Sequence, residues 1–274
     1  MDIIHSFLLG IVQGLTEFLP ISSSAHLVLV PKILKTKSEL LNSLTFDVVL
    51  HAGTLMAVLI YYLKKIKNLT IAFFNGIFDV EKRKILDFKL SFFLLVATIP
   101  AFLAGYFFNE YAENTFRSPL LIAIIFILFA LFLLFADKKK GLFKDIEHIT
   151  LKEAIIIGCF QALAIIPGVS RSGITITAAL LLGFKRDSSA EFSFLLSVPV
   201  IFGAFIFKIK DAFKLVTNDN FLIFLVGFVS SFIAGFIAIF FLINFVKKNS
   251  YLPFVVYRIL LGGVIIFLFF KGII

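Results

Sequence analysis

Six stretches of this chain are apolar and long enough to cross a bilayer, and nothing constrains its fold more. They are Phe46–Leu63, Leu90–Phe108, Pro119–Phe135, Phe192–Phe207, Phe221–Val246 and Leu252–Phe270. A spanning helix needs about 20 mostly apolar residues, roughly 17–25. Composition agrees: of 274 residues 60% are hydrophobic, 38 are Phe, and only 16% are charged. Soluble domains carry about 45–50% apolar and roughly 25% charged residues. A chain of this size folding in water could not hide so much apolar surface. A soluble enzyme, a disordered protein and a nucleic-acid binder are thereby excluded. The net charge of +9 then reads as membrane topology and contact with anionic membrane lipids. Cys159 stands alone, which excludes a disulfide framework and a cysteine metal site. The start, with Asp2 and no basic run before the first apolar residues, is expected to carry no cleavable signal. No long polar segment divides the chain, so residues 1–274 read as one polytopic, all-α membrane domain.

Two apolar regions are interrupted. Ile3–Leu34 contains Gln13, Glu17, Pro20, three serines and His26; Ala154–Phe184 contains Gln161, Pro167, Gly168, Ser170, Arg171 and Ser172. Each reads as two short helices around a polar loop, a re-entrant hairpin. Irregular backbone at membrane depth is tolerated only inside protein or beside a watery cavity. The two regions also match each other. Gly10, Gln13, Ser22 and Ser24 recur as Gly158, Gln161, Ser170 and Ser172 at a constant offset of 148. Each half, about 1–136 and about 150–274, would hold one hairpin and three spans. Three crossings invert the second half relative to the first, giving an inverted-topology repeat. Charge agrees with that arrangement. With 61–89 inside, the inside connections carry 16 Lys and Arg and the outside ones 8, which places both termini outside. The segment 64–89 is expected to be a solvated loop.

Ionisable side chains at membrane depth are costly and by default functional candidates. Glu17 lies four residues after Gln13, so both occupy one helical face. An amide and a carboxylate so placed suit oxygen coordination of Mg²⁺ or Ca²⁺; a helix-packing hydrogen bond is the alternative. Ser22, Ser23 and Ser24 precede an apolar run as an N-cap does, and such an end is also an anion site. His26 falls three residues after Ser23, so a hydroxyl nucleophile beside a general base is geometrically open; a capping cluster with an interfacial histidine is the plainer reading. In Pro167-Gly-Val-Ser-Arg-Ser-Gly173, Gly168 and Gly173 permit an anion-binding nest with Ser170 and Ser172. Arg171 adds a planar fork suited to phosphate. The offset sets Arg171 opposite Ser23, so the two halves are expected to converge on one site. Glu17 or Glu191 is a candidate counter-charge for Arg171 or Arg258. His51 and the Tyr257-Arg258 pair are weaker candidates.

GLTEFLPISSSAH (14–26), GCFQALAIIPG, PGVSRSG (167–173), EFSFLLSVP (191–199) and FVVYR together resemble the undecaprenyl-diphosphatase family, the bacitracin-resistance type of membrane phosphatase. The resemblance covers essentially the whole chain. It implies hydrolysis of undecaprenyl diphosphate to undecaprenyl phosphate and phosphate, recycling the lipid carrier of peptidoglycan synthesis. It also implies a divalent cation, Mg²⁺ or Ca²⁺, and a bacterial cytoplasmic-membrane location with the site opening outward. Carried across, the family's (Glu/Gln)-x-x-x-Glu motif falls on Gln13 and Glu17. Its catalytic serine and histidine fall on Ser23 and His26, and its phosphate-binding arginine on Arg171. Many members have Glu at the position of Gln13, which weakens a direct metal bond there, and often Gly at that of Ala25. Besides the lipid substrate and membrane lipids, a homodimer is left open and no nucleic-acid partner is expected.

Two other readings bear on the same residues. A lipid-carrier flippase could share the inverted repeat and broken helices, but it needs no nucleophile beside a base. The other large membrane lipid-phosphatase superfamily uses Ser-Arg-x5-His, and here Thr177 stands at the histidine's place.

Overall fold

The computed structural model describes residues 1–33, 38–115, 118–215, 217 and 219–272. Among them it is all-helical, with one isolated bridge between Lys144 and Phe184. The helices are α1 (Asp2–Phe18), α2 (Ser23–Ile33), α3 (Leu44–Tyr61), α4 (Leu63–Phe78), α5 (Leu86–Thr115) and α6 (Pro119–Asp137). They continue with α7 (Leu151–Ala162), α8 (Arg171–Leu181), α9 (Arg186–Leu215), α10 (Phe221–Val246) and α11 (Leu252–Phe270).

Segments of α5, α6 and α9, with α10 and α11, are each long and apolar enough to cross a membrane; α3 and α4 make a sixth span only if taken together. Phe102, Phe107, Phe135, Phe240, Leu260 and Phe267 are exposed on these helices. On helices this long and apolar, such faces belong in lipid. This is a multi-pass membrane protein. The two interrupted regions are the expected pairs of short helices, α1–α2 and α7–α8.

One expectation is corrected. The segment 64–89 is not a solvated loop, because α4 occupies Leu63–Phe78 and a short 3-10 turn follows at Glu81–Lys84. The chain bends by 84° between α3 and α4. Ile66, Leu69, Phe73 and Gly76 recur at helical spacing beneath the lysines, and the ring of Phe88 lies against Gly76. The charged residues masked that apolar stripe.

Close helix contacts hold the bundle. The α1 helix packs along α10 and α7 along α5; α3 lies on both α9 and α10, and α6 lies on α11. At Gly158 a Cβ would fall 2.4 Å from the Ala97 carbonyl oxygen, and at Gly10 one would fall 2.6 Å from that of Gly227. Only glycine allows these backbones to meet, as small residues generally do between membrane helices. The main core joins Phe18 and Ile21 to Leu55, Phe194, Ile239 and Tyr251. At one end, Arg186 and the Tyr251 amide both donate to Asp137, tying α6, α9 and α11 together.

Candidate active site

The site is built where the hairpins meet. The α1 helix stops at Phe18 because Leu19 turns extended ahead of Pro20, as residues before proline do. Ser22 then takes a positive φ of 68° and α2 begins at Ser23. This returns the chain so that Ser23 faces the last turn of α1. The Ser23 hydroxyl donates to Glu17 Oε2 at 2.7 Å, and the Gln13 amide donates to the same oxygen at 3.0 Å. From the other hairpin, Arg171 Nη2 donates to Glu17 Oε1 at 2.9 Å, and its Nη1 donates to the Ser193 carbonyl at 3.1 Å. His51 Nε2 lies 3.6 Å from Glu17 Oε2. Glu17 is therefore the hub of the site. Its side chain is only 6% exposed, and a buried carboxylate is tolerable when charge-assisted bonds compensate its desolvation.

The two half-sites converge as expected, but not by the expected pairing of side chains. Ser23 contacts Glu17 rather than His26. Both ring nitrogens of His26 are engaged elsewhere, Nδ1 with the Ser22 carbonyl and Nε2 with the Tyr257 hydroxyl, each at 2.7 Å. The reason is geometric. The left-handed turn at Ser22 swings Ser23 toward α1, while His26, nearly one helical turn on, faces α11.

The second motif is used mainly to build its own loop. Ser170 has φ 74° and its hydroxyl caps the amide of Gly173. Ser172 donates to the Leu19 carbonyl at 3.0 Å, binding one hairpin to the other. Ser170, Ser172, Gly168 and Gly173 are all buried. Of this motif only Arg171 keeps a partly open polar side chain. On the first hairpin, Ser22 is buried, Ser23 half-buried and Ser24 exposed, and the Ser22 and Ser24 hydroxyls stand 3.2 Å apart. No described residue accepts from the amides of Ser23, Ser24 or Ala25, so the start of α2 keeps free N–H groups of the kind that can receive an anion.

The description "Bacitracin resistance protein BacA" matches residues 6–264. The chain belongs to the BacA family. A protein named undecaprenyl-diphosphatase from Geotalea daltonii is 47% identical over 264 residues, 96% of each chain. One of the same name from Elusimicrobium minutum is 48% identical over 267 residues, 97% of this chain and 98% of its own. Another, from Campylobacter curvus, is 44% identical over 273 residues, 98% of this chain and 100% of its own.

In this BacA chain Arg258 has a part that its sequence position only hinted at. It is buried, with its guanidinium 4.7 Å from the Phe126 ring centre. Nη2 donates to the Gly168 carbonyl at 2.8 Å, and Nη1 to those of Pro20 and Val169 at 3.3 Å each. Nε donates to the Phe126 carbonyl at 3.0 Å. One cation thus clamps both hairpin loops through backbone oxygens. Among the described residues no carboxylate pairs with it: Glu17 pairs with Arg171, and Glu191 pairs with Lys65.

The BacA residues present fit a hard cation in one respect. Gln13 Oε1 is buried and has no hydrogen-bond partner, and it belongs to the residue bonded to Glu17 Oε2. With the Ser23 hydroxyl these are oxygen donors, as Mg²⁺ and Ca²⁺ require. Among the described residues no three His, Cys, Asp or Glu form a metal cluster. Gln13, Glu17 and Ser23 are the residues that would hold such an ion, and it would supply positive charge there.

Proposed function

We propose that this chain is an undecaprenyl-diphosphate phosphatase, releasing undecaprenyl phosphate and phosphate and so returning the lipid carrier to cell-wall synthesis. The bacitracin resistance for which its family is named belongs to this same role. The observation that carries the reading is the 2.7 Å bond from Ser23 to Glu17, with Arg171 on the other carboxylate oxygen. A serine hydroxyl needs a base to become a nucleophile, and phosphoryl transfer needs positive charge at the transferred group.

In this mechanism the Ser23 oxygen attacks the terminal phosphorus as Glu17 takes its proton. The O–P bond forms while the bridging P–O bond breaks, and undecaprenyl phosphate leaves. Arg171 and the free amides of α2 hold the non-bridging oxygens. Water then cleaves the phosphoserine, with His26 as the second acid–base group. A divalent ion held by Glu17, Gln13 and the substrate would neutralise phosphate charge.

We place the protein in the bacterial cytoplasmic membrane with the site opening to the outer face, as the excess of inside lysines and arginines favours. We also read its two halves as an inverted repeat. Three correspondences support this: α1 packs on α10 as α7 packs on α5, Ser22 matches Ser170 in its positive φ, and Gly10 matches Gly158 in close packing.

Phosphate release from a C55 diphosphate by purified protein in detergent tests the function. Wild type should release phosphate and respond to EDTA, and Ser23→Ala should lose ~10²-fold or more. Transport needs a sealed membrane, so an inactive detergent-solubilised protein would overturn the reading.

A further inference from the structure

We propose that Tyr257 is a positioning residue for His26, fixing which ring nitrogen exchanges protons during catalysis. The inference rests on the acid–base part given to His26 above. The Ser22 carbonyl, 2.7 Å from Nδ1, can only accept, so Nδ1 carries the ring's proton in the neutral form. Nε2 then has a lone pair and nothing to donate. The Tyr257 hydroxyl, 2.7 Å away, is its donor. His26 is only 7% exposed, and a buried acceptor without a donor is costly; phenylalanine in place of Tyr257 would leave Nε2 in that state. The two rings also lie parallel, at 8° and 5.8 Å between centres, and Phe126 packs at 5.9 Å. The imidazole is held by two hydrogen bonds and two rings.

A phenol suits this place for a second reason. A hydroxyl both donates and accepts. It donates to Nε2 when the ring is neutral and accepts from Nε2–H when the ring is charged, by rotating about one bond. Nε2 is the nitrogen so served in both states, while Nδ1 stays bound to the backbone. Tyr257 is also 41% exposed on the same α11 side as Leu260 and Val264, where an amphipathic ring with one apolar edge and one polar tip belongs.

The test uses the full chain in detergent, with histidine labelled by ¹⁵N. In wild type, His26 should show a protonated Nδ1 and a hydrogen-bonded lone pair on Nε2. In Tyr257→Phe the Nε2 signal should move to that of an unbonded lone pair. The kcat should fall ~10-fold or more, toward the range of a lost acid–base group, with KM within about twofold. A wild-type ring protonated on Nε2 instead would overturn the proposal without recourse to any variant. So would Tyr257→Phe with unchanged kcat and unchanged ¹⁵N signals. His26→Ala separates the two readings. If it is inactive while Tyr257→Phe is unaffected, this inference alone fails; if it is fully active, the part given to His26 fails first.

Discussion

Ser22 and Ser170, 148 residues apart, share an unusual positive φ. Their φ angles are 68° and 74°, and they are the two non-glycine residues with positive φ among those described. Each hydroxyl stands 3.2 Å from that of the serine two residues on. Such conformations cost about 1–3 kcal/mol and persist where the surroundings impose them. The two serines differ in one respect. Ser170 caps its own helix through Gly173, whereas the Ser22 hydroxyl pairs with Ser24 and leaves the first amides of α2 uncapped.

That difference sets the outcome of substitutions at Ser170. Alanine removes the cap, at about 1 kcal/mol, and keeps the positive φ. Glycine also removes the cap, but it adopts positive φ without steric cost. Ser170→Ala should therefore be less stable than Ser170→Gly by about 1 kcal/mol or more, measured by thermal unfolding in detergent. Equal stabilities would mean the turn is not strained.

Arg258 should matter to stability more than any residue of the Glu17 cluster. Arg258→Met leaves the carbonyls of Pro20, Gly168 and Val169 without this donor, whereas that of Phe126, inside α6, keeps its helical partner. Each unsatisfied buried acceptor costs about 1–3 kcal/mol, so the total should exceed about 3 kcal/mol. Unfolding free energies of the variant and wild type check this. A loss below about 1 kcal/mol would show that the hairpin loops hold themselves.

Much of this was legible from the residues. The hairpins α1–α2 and α7–α8 were marked by Pro20, Pro167 and the polar residues around them, since no lipid-exposed helix would carry these in its middle. The offset of 148 set Ser23 and Arg171 opposite each other, and both bond to Glu17. The partner of Ser23 was not legible. Spacing on an ideal helix puts Ser23 beside His26, but the left-handed turn at Ser22 redirects it to Glu17, and no local pattern announces a positive φ at a serine. Likewise α4 was hidden because Lys64, Lys65 and Lys67 outweigh the stripe of Ile66 and Leu69. Arg258 stood out as a charge within an apolar helix, yet its partners are backbone oxygens from three other segments, which one-dimensional patterns do not encode.

Glu17 and Gln13 should differ in their response to a divalent ion. Glu17→Gln removes the charge that pairs with Arg171 and that the proposed ion would need, so activity should no longer rise on adding Mg²⁺ or Ca²⁺ to EDTA-treated protein. Gln13→Glu should retain activity and its metal response, because carboxylate oxygen replaces amide oxygen at one ligand position. Full metal response in Glu17→Gln would place the ion elsewhere.

The orientation of the chain is open to chemical labelling in intact cells, with Cys159 first replaced by Ala. A cysteine at Thr217, an exposed residue before α10, should react with an impermeant thiol reagent from outside. One at Lys140, exposed after α6, should not. The reversed pattern would turn the site toward the cytoplasm.

The most direct measurement is the stereochemical course at the transferred phosphorus, followed with substrate whose terminal group is a thiophosphate made chiral with two oxygen isotopes and hydrolysed in water carrying the third. Attack by Ser23 followed by hydrolysis makes two in-line displacements, each inverting the phosphorus. The account predicts net retention of configuration. Net inversion would mean that water attacks the diphosphate in a single step and that Ser23, despite its 2.7 Å bond to Glu17, is not the nucleophile.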